Sequence, residues 1–170
     1  MKKILSIVLS VIMIICLTSC KGQKIEMTKE YETSDKSYTA KVSFEYGDGT
    51  TADNIEESSA EFINEETDFK LNCSLLFDEY YEEIEEIAQE QIDSSEIDFG
   101  EYEGIVFYPN DSSCQIVIKL EDYDDFDAYI TASVSAYRFG GEIDMHGVFN
   151  SDEMQKILNS VKCDISEKKK

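Results

Sequence analysis

Positive charge, proline, tryptophan and histidine are all scarce in this chain, and each shortage removes a class of function. Only 15 Lys and Arg stand against 37 Asp and Glu, a net charge of -22. Binding nucleic acid requires clustered cations that displace counterions from phosphate, so nucleic acid is excluded as a partner. One proline and no tryptophan leave no Pro-rich linker or mucin-like stalk. His146 is the single histidine, which rules out a multi-histidine metal site, and its position before Gly147 reads as a surface loop. There is no Gly-x-Ser-x-Gly elbow, phosphate loop, Ser-x-x-Lys or Cys-x-x-Cys, so no hydrolase of a recognised triad type is encoded. What remains is ample for folding: 170 residues, 42% of them hydrophobic, with 10 Tyr and 9 Phe. That length and content suit one domain with an appendage.

The appendage is at the start. Lys2 and Lys3 precede a 14-residue apolar run over residues 4–17, short of the roughly 20 residues that span a bilayer and typical of a secretory signal. Leu17, Thr18, Ser19 and Cys20 resemble the lipobox of bacterial lipoproteins. The resemblance implies cleavage before Cys20, a diacylglyceryl group on its thiol and acylation of the new amine. Two or three acyl chains hold a protein stably without a spanning segment, so the expected location is the cell membrane, lipid-anchored, on the extracytoplasmic side. The chain then divides into a signal peptide (1–19), a lipidated N-terminus and flexible tether (20–37), one acidic domain (38–165) and a basic tail (166–170). Loss of residues 1–19 leaves 13 basic and 37 acidic residues, a net charge of -24. Residues 42–118 hold 22 of the acids and one base, Lys70.

Within the domain, Tyr38, Ala40, Val42, Phe44 and Tyr46 alternate with polar residues, the period of a half-buried strand, and Gly47, Asp48 and Gly49 end it. Further strands are expected at 60–64 and, from the alternation of Phe69, Leu71, Cys73 and Leu75, at 69–75. Residues 78–92 read as a helix with Tyr80, Tyr81, Ile84, Ile87, Ala88 and Ile92 on one stripe. Acids fill its other face, where like charges four residues apart cost a few tenths of a kcal/mol per pair. A hairpin is expected from 104–108 and 114–120, then a long strand over 128–137 closed by Gly140 and Gly141. A last helix is capped by Asn150 or Ser151, with Met154, Ile157, Leu158 and Val161 on its apolar face. Helices packed on a mostly antiparallel sheet give the α+β class.

Three segments, SFEY (43–46), FGEYEGIVFYP (99–109) and ILNSVK (157–162), resemble the PsbP-like lipoproteins of Gram-positive bacteria. That resemblance implies an α/β/α sandwich used mostly for binding, and it carries over no catalytic residue.

Cys73, Cys114 and Cys163 are an odd set for a disulfide framework, and any single pairing among them leaves one thiol over. Cys73 shares the apolar face of its strand and reads as a buried small hydrophobe; a catalytic thiolate would want a nearby cation. The acidic run Glu121, Asp122, Asp124, Asp125, Asp127 invites calcium, but an EF-hand loop started at Asp122 has Asp127 where Gly is needed and Ser133 where Glu is needed. It reads as a solvated turn. The expectation is a non-catalytic binding or accessory module without cofactor or metal. Its candidate surface is the acidic helix face with Glu82, Glu86 and Glu90, and its partner a cationic protein or peptide. Weak calcium binding and an enzyme with an unrecognised carboxylate pair are the alternatives, because any two of 37 carboxylates could meet.

Overall fold

In a computed structural model, residues 22–78, 80–91, 93–123, 126–138 and 144–169 are described. The elements are β1 (Gln23–Glu32), β2 (Lys36–Tyr46), β3 (Thr50–Asp53), β4 (Ser59–Asn64), β5 (Phe69–Asp78), α1 (Tyr81–Gln89), β6 (Ser94–Phe99), β7 (Tyr102–Asn110), β8 (Ser113–Tyr123), β9 (Phe126–Ala136), α2 (Met145–Phe149), α3 (Asp152–Asn159) and β10 (Lys162–Lys169). They form two antiparallel sheets, β1-β2-β10 and β3-β4-β5-β9-β8-β7-β6.

The small sheet lies on one face of the large one. Alternation drives this: Tyr38, Ala40, Val42, Phe44 and Tyr46 of β2 are all buried, as are Phe69, Leu71, Cys73, Leu75 and Phe77 of β5. Rings join the sheets, with Phe44 and Tyr46 each 5.6 Å from Phe62, and Tyr31 4.5 Å from Phe126. Helices α2 and α3 fill the remainder of the same interior with Met145, Phe149, Met154, Ile157 and Leu158. Ser151 caps α3, its hydroxyl accepting from the Met154 N–H at 3.3 Å.

This architecture corrects the expected fold class. The protein is mostly β, with three short helices among the described residues, and it is neither the expected α+β fold nor the α/β/α sandwich implied by the PsbP-like resemblance. Two segments explain the difference. Residues 23–32, expected within the tether, form β1, which pairs with β2 from Gln23↔Tyr46 to Glu32↔Ser37. Residues 166–169, expected in a tail, extend β10 along the other side of β2. In β1 the alternation of Ile25, Met27 and Tyr31 is interrupted by Lys29, whose ammonium donates to the Leu75 carbonyl at 3.1 Å. A lysine on the interior side hid the strand.

The helix expected over 78–92 is also shorter. Asp78 stays in β5 opposite Asp127, and its Oδ1 accepts from the Tyr80 N–H at 3.0 Å, turning the chain before the helix begins. Of the expected stripe, Tyr81 and Ala88 are buried while Tyr80 and Ile87 are 55% and 50% exposed. Ile92, and the Gly140 and Gly141 expected to close β9, lie outside the described residues.

Candidate functional site

The outer face of the large sheet carries a second, small apolar cluster. Val117 of β8 and Tyr129 of β9 are buried there against Tyr81, with Leu76, Ile84 and Phe107 around them. Tyr81 meets Tyr129 edge-on, ring centroids 5.5 Å apart, a favoured aromatic geometry. Tyr129 donates to Asp78 at 2.7 Å, which ties the cluster to the turn that starts α1. Burial, with Asp78 second, pushes the Tyr129 hydroxyl well above its ordinary pKa.

Helix α1 covers only part of this face, and beside it lies a cleft of about 570 Å³. Its carboxylates are Glu85 from α1, Glu96 and Asp98 from β6 and Glu103 from β7, around Ile97, Gly104 and Ile105. Asp98 and Glu103 are direct cross-strand partners, a like-charge placement that destabilises a sheet. The cleft's one cation is Lys119 of β8. Its Nζ lies 4.8 Å from the centre of the Tyr81 ring, 3.1 Å from Asp122 and 3.7 Å from Asp127. Burial lowers the Lys119 pKa, but the hydrogen bond and charge of Asp122, with Asp127 and Glu85, outweigh it and the net direction is up. Burial, then Glu85, Asp127 and Glu103, pushes the Tyr81 hydroxyl up to about 12. Both side chains therefore hold their protons at neutral pH: the tyrosine stays uncharged and the lysine cationic.

Glu82 and Glu86 on α1 and Glu90 just past its end are exposed, on the side turned away from Tyr81 and Ala88, and they do not line the cleft. At about 100° per residue Tyr80 and Ile87 fall on one line beside Glu83, so α1 shows an apolar spot bordered by carboxylates. The structure thus separates two acidic surfaces, the helix face read from sequence and the cleft. Glu96 and Asp98 escaped sequence reading because β6 was not recognised, the period-two spacing of Glu96, Ile97 and Asp98 being the available signal, and Glu103 because the following strand was expected to begin only at 104.

The other candidates fall elsewhere. Cys20 and residues 1–19 lie outside the described residues. Cys73 and Cys114 are buried, Cys163 is half-buried, and all three are free. Burial pushes the Cys73 thiol up to about 12. His146 is in α2, not in a loop. Its Nε2 is 3.0 Å from Asp93 and its ring stacks on Tyr108 at 4.0 Å. In the acidic run Asp122 and Asp127 engage Lys119, while Asp124 and Asp125 lie outside the described residues. Among the described residues no three His, Cys, Asp or Glu are grouped as a metal site would need, and no helix is long and apolar enough to cross a membrane. Compared with protein-family models, curated proteins and solved structures, this chain matches none.

Proposed function

We propose that the protein is a lipid-anchored extracytoplasmic module that acts by binding, and that its partner is a cationic protein or peptide taken by the acidic surface around α1. The observation that carries the reading is the cleft, where four carboxylates stand around apolar walls with Lys119 as the only cation. Two of them, Asp98 and Glu103, face each other across β6 and β7, an arrangement that a bound cation relieves and an empty cleft does not. The exposed Tyr80 and Ile87 beside Glu83 extend the same chemistry onto α1, offering a basic, amphipathic segment an apolar contact within an acidic field. The lipobox at Leu17–Cys20 supports the anchor.

The test is capture from envelope extracts at low and moderate salt. Charge reversal at Glu82, Glu86 and Glu90 removes partners that depend on the helix face, and Asp98→Asn with Glu103→Gln removes those that depend on the cleft. Partners held by charge also weaken as salt rises. Identical partner lists for wild type and both variants overturn the proposal.

A further inference from the structure

Charge is divided between the two layers of the sandwich far more sharply than the net value suggests. The segments that build the small sheet, residues 23–46 and 162–169, hold seven lysines and seven acids and are neutral. Residues 47–161 hold four bases and 30 acids, a net charge of -26. Among the described residues no helix covers the outer face of the small sheet, where four lysines (Lys24, Lys41, Lys162, Lys168) and five acids (Glu26, Glu30, Glu32, Glu45, Asp164) are exposed, a net charge of -1. Opposite charges alternate there: Lys24 pairs across to Glu45, Lys41 to Asp164, and Glu26 and Lys162 flank Ser43.

We infer that this nearly neutral face is the surface the domain turns toward an anionic bilayer, with α1 and the acidic cleft pointing away. The inference rests on the proposed anchor at Cys20 and adds the orientation that the anchor imposes. Gln23, the first residue of β1, is three residues from Cys20, and at 3.3–3.6 Å per residue that covalent path is at most about 11 Å. The screening length at 0.1–0.15 M salt is about 8–10 Å. The domain therefore sits where the negative surface potential still acts, and the sign of the facing surface decides its orientation. Strand β1 is an edge of the small sheet, so the anchor arrives beside the nearly neutral face. Standing the sandwich on the end where β1 begins would instead present Asp48, Glu65, Glu66 and Asp68 with only Lys156 and Arg138 against them, a net charge of -2. The turns that carry them adjoin the start of β1 through the Gln23↔Tyr46 pair and the Tyr46–Phe62 contact.

The experiment is lysine acetylation footprinting of the full lipidated protein in vesicles of phosphatidylcholine and phosphatidylglycerol. Each lysine is compared with the same lysine in a soluble form that starts at Cys20→Ser. Acetylation is expected to slow several-fold at Lys24, Lys41 and Lys162 and to stay unchanged at Lys70 and Lys119, which belong to the large sheet. Carboxyl labelling of Glu82, Glu86 and Glu90 is likewise expected to be unaffected. Uniform slowing, or slowing concentrated at Lys70 and Lys119, overturns the orientation while leaving the anchor intact. The mass of the N-terminal peptide from the same digests reports the lipid on Cys20 directly, and a Cys20 without lipid overturns both readings.

Discussion

Replacing Gly104 with alanine offers a sharp test of the packing between β7 and β8, because the added methyl has nowhere to go. A Cβ there would press into the Val117 carbonyl oxygen and lie 2.8 and 2.9 Å from two carbons of the Phe99 ring. Neither neighbour can retreat freely. Val117 is in a central strand, with Gly104 opposite Ile118 and Ile105 opposite Val117, and Phe99 is fully buried, its ring 6.5 Å from Phe149. The strain must be absorbed by bowing β7 away from β8 or by displacing Phe99. Overpacking of this kind costs about 1–3 kcal/mol, and for a domain of this size each kcal/mol shifts Tm by about 2–4 °C. Urea unfolding followed by tyrosine fluorescence should show a lower midpoint with an unchanged slope, the mark of lost stability without altered compactness. Gly47→Ala is the control. A Cβ on Gly47 meets only the flexible end of Lys156 at 3.7 Å, so its effect should stay within about 0.5 kcal/mol, as for surface changes generally. If Gly104→Ala unfolds at the same urea concentration as Gly47→Ala, the close approach of β7 to β8 is wrong. Since Gly104 and Ile105 also line the cleft, the destabilised variant should bind the proposed cationic partner more weakly.

Four further outcomes are expected, three from the structure and the last from the lipobox. Native Cys73 should resist thiol reagents at pH 8 and react rapidly once denatured, because burial leaves it 1% exposed and raises its pKa from 9.0 to about 12; fast labelling without denaturant would refute the core assignment. A raised folded-state pKa means that the stabilisation is fully present below pH 9 and is lost as pH rises toward 12. Stability should therefore fall by about 1.4 kcal/mol per pH unit from this group alone, and Cys73→Val should flatten the decline in urea midpoint between pH 9 and 11. Asp98→Asn should stabilise the fold by about 0.2–1 kcal/mol by removing the like-charge pair with Glu103, with the gain shrinking at high salt; a loss of stability would mean that the two carboxylates do not repel. Cys20→Ala protein with its signal removed should appear wholly in the soluble fraction on membrane flotation, and complete retention on membranes would refute lipid anchoring.

How much of the fold could be read from the chain depended on where each strand sits in its sheet. The strand expectations for β2, β4, β5, β7, β8 and β9 came from alternating or apolar runs, and all six are strands in the structure, each paired on both sides. The unrecognised strands β1, β3, β6 and β10 are the four sheet edges. An interior strand buries one face and pairs both edges, so its apolar residues repeat strictly. An edge strand tolerates charge, and charge there discourages pairing with other chains, which erases the period-two signal. In β10 only Cys163 and Ile165 mark the inward side of an otherwise charged run. Misreading β1 as tether and the end of β10 as tail, and missing β3 and β6, made two helices look like a principal layer of the fold, and so produced the wrong class.

The acidic composition, the sparse motifs and the cap of α3 are properties of local sequence and could be read directly. Charge placement could not. Seven lysines and seven acids lie in two segments separated by more than a hundred residues, and only the pairing of β1 and β10 with β2 collects them into one neutral sheet. The cleft has the same origin, since Glu85, Asp98, Glu103 and Lys119 come from a helix and three strands. Sequence determines which charges exist; strand pairing, driven by burial of the apolar faces, decides which of them meet.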